Sequence, residues 1–98
     1  MIACRFAFRE WFGLRPAEAD LLAGLYAADG RVVSRDELAA AARVVIPSVP
    51  VLVVRLRDAL EPESIDCERG VGYRLTDQGL DECRRALRSL SEELRAVS

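Results

Sequence analysis

Apolar and polar positions follow two different periods along this chain, and the changes of period mark its elements. From Pro16 onward, Ala17, Leu21, Leu22, Leu25 and Tyr26 recur at the three- and four-residue spacing of an amphipathic helix, which Asp29-Gly30 ends. Proline suits a first helical turn because its missing N–H would have had no intrahelical acceptor there, and Glu18 and Asp20 favour the positive helix end. Ser34 followed by Glu37 reads as a capping box, opening a second helix through Leu38 to about Arg43. Two prolines, Pro47 and Pro50, then force a turn. Beyond it Ser48 is expected to cap a third helix with Val49, Val53, Leu56 and Leu60 on one face. Glu61-Pro62-Glu63 ends that helix. Ile65 and Cys67 alternate before Gly70-Val71-Gly72, and Tyr73 and Leu75 alternate after it, the pattern of a glycine-turned hairpin.

The two ends of the chain add one element each. Ile2, Cys4, Phe6 and Phe8 alternate with more polar positions, which predicts a short N-terminal strand, and Trp11, Phe12 and Leu14 lead on to Arg15-Pro16. Arg31-Val32-Val33 is too short to predict an element of its own. Thr76 is placed to cap a last helix along which Leu80, Cys83, Leu87, Leu90, Leu94 and Val97 recur at spacings of 3, 4, 3, 4 and 3. Such a seam either folds back over its own domain or pairs with a second copy, and a dimer interface is the expectation for these six residues.

Composition narrows the functions available. With 98 residues, 51% of them apolar, the chain has length for one core. No apolar run approaches the roughly 18 residues of a membrane span, and no leader segment is evident, so a cytoplasmic protein with no membrane partner is expected. Cys4, Cys67 and Cys83 are far apart, and with no histidine in the sequence neither a metal site nor histidine-dependent catalysis is expected. No phosphate loop or nucleophile–base pair suggests itself, so neither an enzyme nor a cofactor is foreseen. All fourteen basic residues are arginine, a bias that coding composition alone can produce. The net charge of −2 argues against binding nucleic acid by bulk electrostatics and leaves only local contacts to do so.

Three helices and a hairpin, with a short turn between the second and third helices, follow the order of a winged helix-turn-helix. The text is more specific than the order. Leu14-Arg15-Pro16-Ala17-Glu18, Gly30-Arg31-Val32-Val33-Ser34-Arg35-Asp36-Glu37-Leu38, Arg55-Leu56-Arg57 with Leu60, and Arg69-Gly70-Val71-Gly72-Tyr73-Arg74-Leu75 together resemble the DNA-binding effector domain of OmpR/PhoB-type response regulators. The resemblance implies an α+β winged helix over about Pro16 to Thr76, within a domain of residues 1–76 that includes the N-terminal strand; residues 77–98 form the added helix. It also implies DNA binding, and with the seam of the last helix the expected function is a small stand-alone transcription regulator that binds duplex DNA as a homodimer. The family's receiver domain is not part of these residues, so no phosphorylatable aspartate is assigned.

The resemblance carries over residue by residue. In the hairpin, or wing, Arg69 matches an arginine that reaches the neighbouring minor groove or backbone, and Tyr73 a phosphate-contacting tyrosine. On the third helix, alignment on Arg55-Leu56-Arg57 puts Pro47, Ser48 and Leu52 where the family carries arginine, threonine and histidine. Ser48 for phosphate, Val51 and Val54 for thymine methyls, and Arg55 and Arg57 for backbone or guanine are what remain for DNA. The two arginines lie about 160° apart on a helical wheel, so both cannot face one groove equally. The loop before this helix is shorter than the family's polymerase-contacting loop. The same apolar third helix supports a competing expectation, a protein-interaction module that has lost base readout.

Overall fold

The computed structural model describes the backbone of residues 2–97 and the side chains of residues 4–95. Helices α1 (Ile2–Phe12), α2 (Pro16–Ala27), α3 (Arg35–Ala42), α4 (Val49–Ala59) and α5 (Asp77–Val97) surround a small antiparallel sheet of β1 (Val33–Ser34), β2 (Ile65–Glu68) and β3 (Gly72–Leu75). The expected first, second and third helices are α2, α3 and α4.

The predicted N-terminal strand is instead α1. Its apolar residues satisfy two periods at once. Cys4, Phe8 and Phe12 are spaced by four as well as by two, and the helical reading prevails because it buries Ala7 and Phe8 while leaving Phe6 half exposed. Phe8 meets Tyr26 of α2 edge-on, with ring centroids 5.7 Å apart, so the contact that fixes α1 lies eighteen residues away, where a local pattern cannot see it.

The core gathers Leu21, Leu22 and Leu25 of α2, Leu38 of α3, Val49, Val53 and Leu56 of α4, and Ile65 and Leu75 of the sheet. The capping residues perform differently at the two later helices. Ser34 Oγ accepts from the Glu37 amide at 3.2 Å as expected. Ser48 makes no cap: Ile46–Ser48 form a single 3₁₀ turn that runs directly into α4, so Ser48 is already helical and its hydroxyl is not aimed at an amide of the first turn.

Strand order is β1-β3-β2, with Val33 opposite Tyr73 and Cys67 on its other side. The segment judged too short for an element thus supplies a third strand, because β3 offers it a free edge. Gly72 permits that pairing: a Cβ there would overlap the Val33 carbonyl, which no side chain could relieve. The wing turn closes with the Val71 amide donating to the Glu68 carbonyl at 3.0 Å, and Gly70 supplies its positive φ of 76°.

Candidate nucleic-acid interface

Burial along α4 separates its two faces. Val49, Leu52, Val53 and Leu56 point into the core, whereas Val51, Val54, Arg55 and Asp58 form an outward stripe at three- and four-residue spacing. Val51 is 51% and Val54 56% exposed. The turn before α4 adds exposed Val45 and Ile46, and the wing tip adds exposed Val71. Ile46, Gly70 and Val71 share one depression with Ser34, Arg35 and Asp36 of the α3 start, which links the turn before α4 to the wing tip.

Arg57 does not belong to it. Its Nε and Nη2 donate to the Ile65 carbonyl at 3.2 and 2.8 Å, fastening α4 to the first residue of β2. These two bonds give Arg57 a structural role beside the DNA contact expected of it. The 3₁₀ turn Pro62–Ser64 lies between α4 and β2 and brings the Ile65 carbonyl to the guanidinium. Arg55 is intermediate: Nη1 stands 3.7 Å from Glu18 Oε2, while Glu18 Oε1 accepts from the Arg15 amide at 3.0 Å. Glu18 thereby closes the start of α2 and draws Arg55 toward that helix. Half the arginine side chain is still exposed.

Arg69 stands at the wing turn, exposed and without a side-chain hydrogen bond or ion pair among the described residues. Arg74, two residues into β3, is instead committed to its cross-strand partner Asp66 at 2.7 Å. Tyr73 is only 6% exposed and packs into the core, with too little surface free for more than an edge contact. Arg35 was not among the expected contacts, although it lies in the second matching block. Its position is set by β1, whose pairing with β3 puts the start of α3 beside the wing tip.

The rear of the same unit is held by polar contacts. Buried Ser64 donates to Glu82 of α5, whose other oxygen accepts from the Glu61 amide at 3.3 Å. Thr76 Oγ1 donates to the Glu63 carbonyl at 2.7 Å and accepts from the Gly79 amide at 3.2 Å, the expected cap of the last helix. These bonds tie the turn after α4 to the start of α5.

A family model, transcriptional regulatory protein, C terminal, matches residues 9–75, more than half of the chain. The chain belongs to that family. It is thus a winged-helix effector domain of OmpR/PhoB type, a DNA-binding class of transcription regulators, and the match ends on the last residue of β3. Comparison with curated proteins and with solved structures returned no match. The helix that follows, α5, lies outside the matched span.

The seam along α5 is divided in this effector domain. Leu80 and Cys83 are buried in the chain's own core and Leu87 packs against it, so these three serve the fold rather than standing open to a partner as expected. Leu90 is half-buried, Leu94 is 62% exposed, and the side chain of Val97 lies outside the described residues. Burial pushes the Cys83 thiol up from 9.0 to about 12, with the neighbouring Glu82 charge adding to the effect. It is a neutral core filler. No cluster of metal-ligating side chains occurs among the described residues, and no single helix is long and apolar enough to cross a membrane.

Proposed function

We propose that this effector domain binds duplex DNA as a homodimer in the cytoplasm, with the outer stripe of α4 in the major groove and the wing along the adjacent backbone. The observation that carries the reading is Arg69: an exposed cation on the wing turn with no hydrogen bond or ion pair among the described residues, next to wing residues Gly70 and Val71 that share a depression with Ile46 of the turn before α4. Arg35 extends the phosphate-facing charge to the start of α3, and Ser48 sits at the α4 end where a phosphate would approach. A salt titration of binding to mixed genomic duplexes tests this. Affinity falls steeply as salt rises, because neutralised phosphates release counterions. Absence of binding at low salt would overturn it.

Dimerisation is supported by what α5 leaves uncovered. Beyond the domain, Leu90 and Leu94 continue the seam, and a cleft between α1 and α5 exposes Phe6 and Trp11 beside Leu90, with Glu10 and Glu93 at its rim. Two such helices paired would present two copies of α4 to a two-fold site. Leu94→Asp is the informative variant, since Leu87 also serves the core. Light scattering after size exclusion should give half the wild-type mass, and an unchanged mass would remove the seam from the dimer.

A second reading has its own observation. Val45, Ile46, Val51, Val54 and Val71 are all exposed on or beside the recognition face, with Asp58 and Glu61 flanking α4, a composition that also suits a protein partner. Failure of the salt titration would favour it.

A further inference from the structure

The outer stripe of α4 is distinguished by the donors it lacks. Base edges in the major groove are read mainly by arginine or lysine on guanine, asparagine or glutamine on adenine, and short hydroxyls. From Val49 to Ala59 there is no lysine, amide or hydroxyl side chain. Of the two arginines, Arg57 gives two N–H groups to the Ile65 carbonyl and Arg55 is drawn back toward Glu18 on α2. Asp58, farther along the stripe, could accept from a cytosine amino group but repels the flanking phosphates.

What the stripe does present is two β-branched side chains, Val51 and Val54, more than half exposed and three residues apart on one face. Neighbours at that spacing hold their Cβ atoms about 5–6 Å apart, between one and two base steps of about 3.4 Å each. Valine in a helix has essentially one χ1 state, so docking it costs little side-chain entropy. The major-groove feature that an aliphatic group complements is the C5-methyl of thymine.

We infer that base discrimination by this effector domain rests on thymine C5-methyl groups, read by Val51 and Val54 at nearby steps of one major groove. The arginines Arg69, Arg35 and Arg55 position the protein on the backbone and contribute little to sequence choice. This deepens the DNA-binding reading and rests on it.

The test begins by selecting random-sequence duplexes on the intact chain at low salt, then resynthesising the enriched duplexes with deoxyuridine in place of thymidine. Deoxyuridine keeps the base pair and removes only the methyl. The enriched pool should share thymines one or two steps apart, and each demethylation there should weaken binding about fourfold, the worth of one buried methyl. Demethylation elsewhere in the duplex should change nothing. Val51→Ala and Val54→Ala should each abolish the thymine–uracil difference at one position and leave the salt dependence intact. Enriched duplexes that bind equally well with deoxyuridine, or salt-sensitive binding that enriches no paired thymines, would overturn the inference while leaving DNA binding standing. Failure of every duplex to bind at low salt would remove both.

Discussion

The two sides of α4 use arginine in opposite ways. On the inner side, Arg57 belongs to a closed polar assembly with the Ile65 carbonyl, and near it Ser64, Glu82, Thr76 and the Gly79 amide pair with one another across three elements. On the outer side, Arg55 keeps half its side chain exposed at 3.7 Å from Glu18, the valines have no partner to seek, and Arg69 on the neighbouring wing turn makes no hydrogen bond or ion pair among the described residues. The difference teaches that residue type does not distinguish a structural arginine from a binding one. What decides is whether a carbonyl left over by the fold lies within reach. A buried carbonyl without a donor costs about 1–3 kcal/mol, enough to capture a nearby guanidinium that surface DNA contacts would otherwise use.

The largest expected effect tests the rigid side through its backbone. Gly72→Ala forces a Cβ into the Val33 carbonyl, and Gly79→Ala forces one into the Ser64 carbonyl with Leu75 Cδ2 at 2.9 Å. Neither obstacle is a flexible side chain. Each variant should lose about 3 kcal/mol of stability by urea denaturation. A loss under about 1 kcal/mol would mean that β1 or the start of α5 separates easily from the sheet, and the two sides of α4 would no longer differ in rigidity.

Arg57→Ala comes next and addresses the comparison directly. Loss of a charged donor to a carbonyl should cost about 1.5–3 kcal/mol, while the slope of affinity against salt measured on folded protein stays at the wild-type value. A slope reduced by about one unit would return Arg57 to the DNA face.

How far this contrast could be read from sequence depends on the range of the interactions involved. The wing was legible because Gly70, Gly72 and the alternating Tyr73 and Leu75 act over a few residues, and the cores of α2, α3 and α4 followed from periodicity. The role of Arg57 was not legible, since its acceptor is placed by the 3₁₀ turn Pro62–Ser64, and no spacing rule relates residues 57 and 65. For the same reason the alternation at the N-terminus reads as a strand rather than as α1: the decisive partner of Phe8 is Tyr26. The α5 seam was visible as a pattern, but its division between Leu87 and Leu90 depends on where the rest of the domain ends.

That division predicts a difference between cysteines. Cys67 is exposed on β2 and Cys83 is buried. An alkylating reagent at neutral pH should modify Cys67 in the native protein and reach Cys83 only on unfolding. Because the folded-state thiol of Cys83 is raised to about 12 from 9.0, the unfolded chain ionises first. The stabilisation is complete below about pH 9 and is lost as pH rises toward 12. Cys83→Ala should flatten that alkaline decline relative to wild type in denaturation series, and equal declines would mean that Cys83 ionises as readily folded as unfolded.

The smallest effect on stability falls on the outer side. Arg69→Ala removes no hydrogen bond or ion pair, so stability should stay within about 0.5 kcal/mol of wild type. Its effect belongs to DNA: one phosphate contact fewer should lower the salt slope by about one unit and weaken all duplexes alike. Uniform weakening is the informative part. If Arg69→Ala instead altered which sequences bind, the wing would be reading bases or minor-groove width, and specificity would have moved from the valines of α4 to the tip of the hairpin.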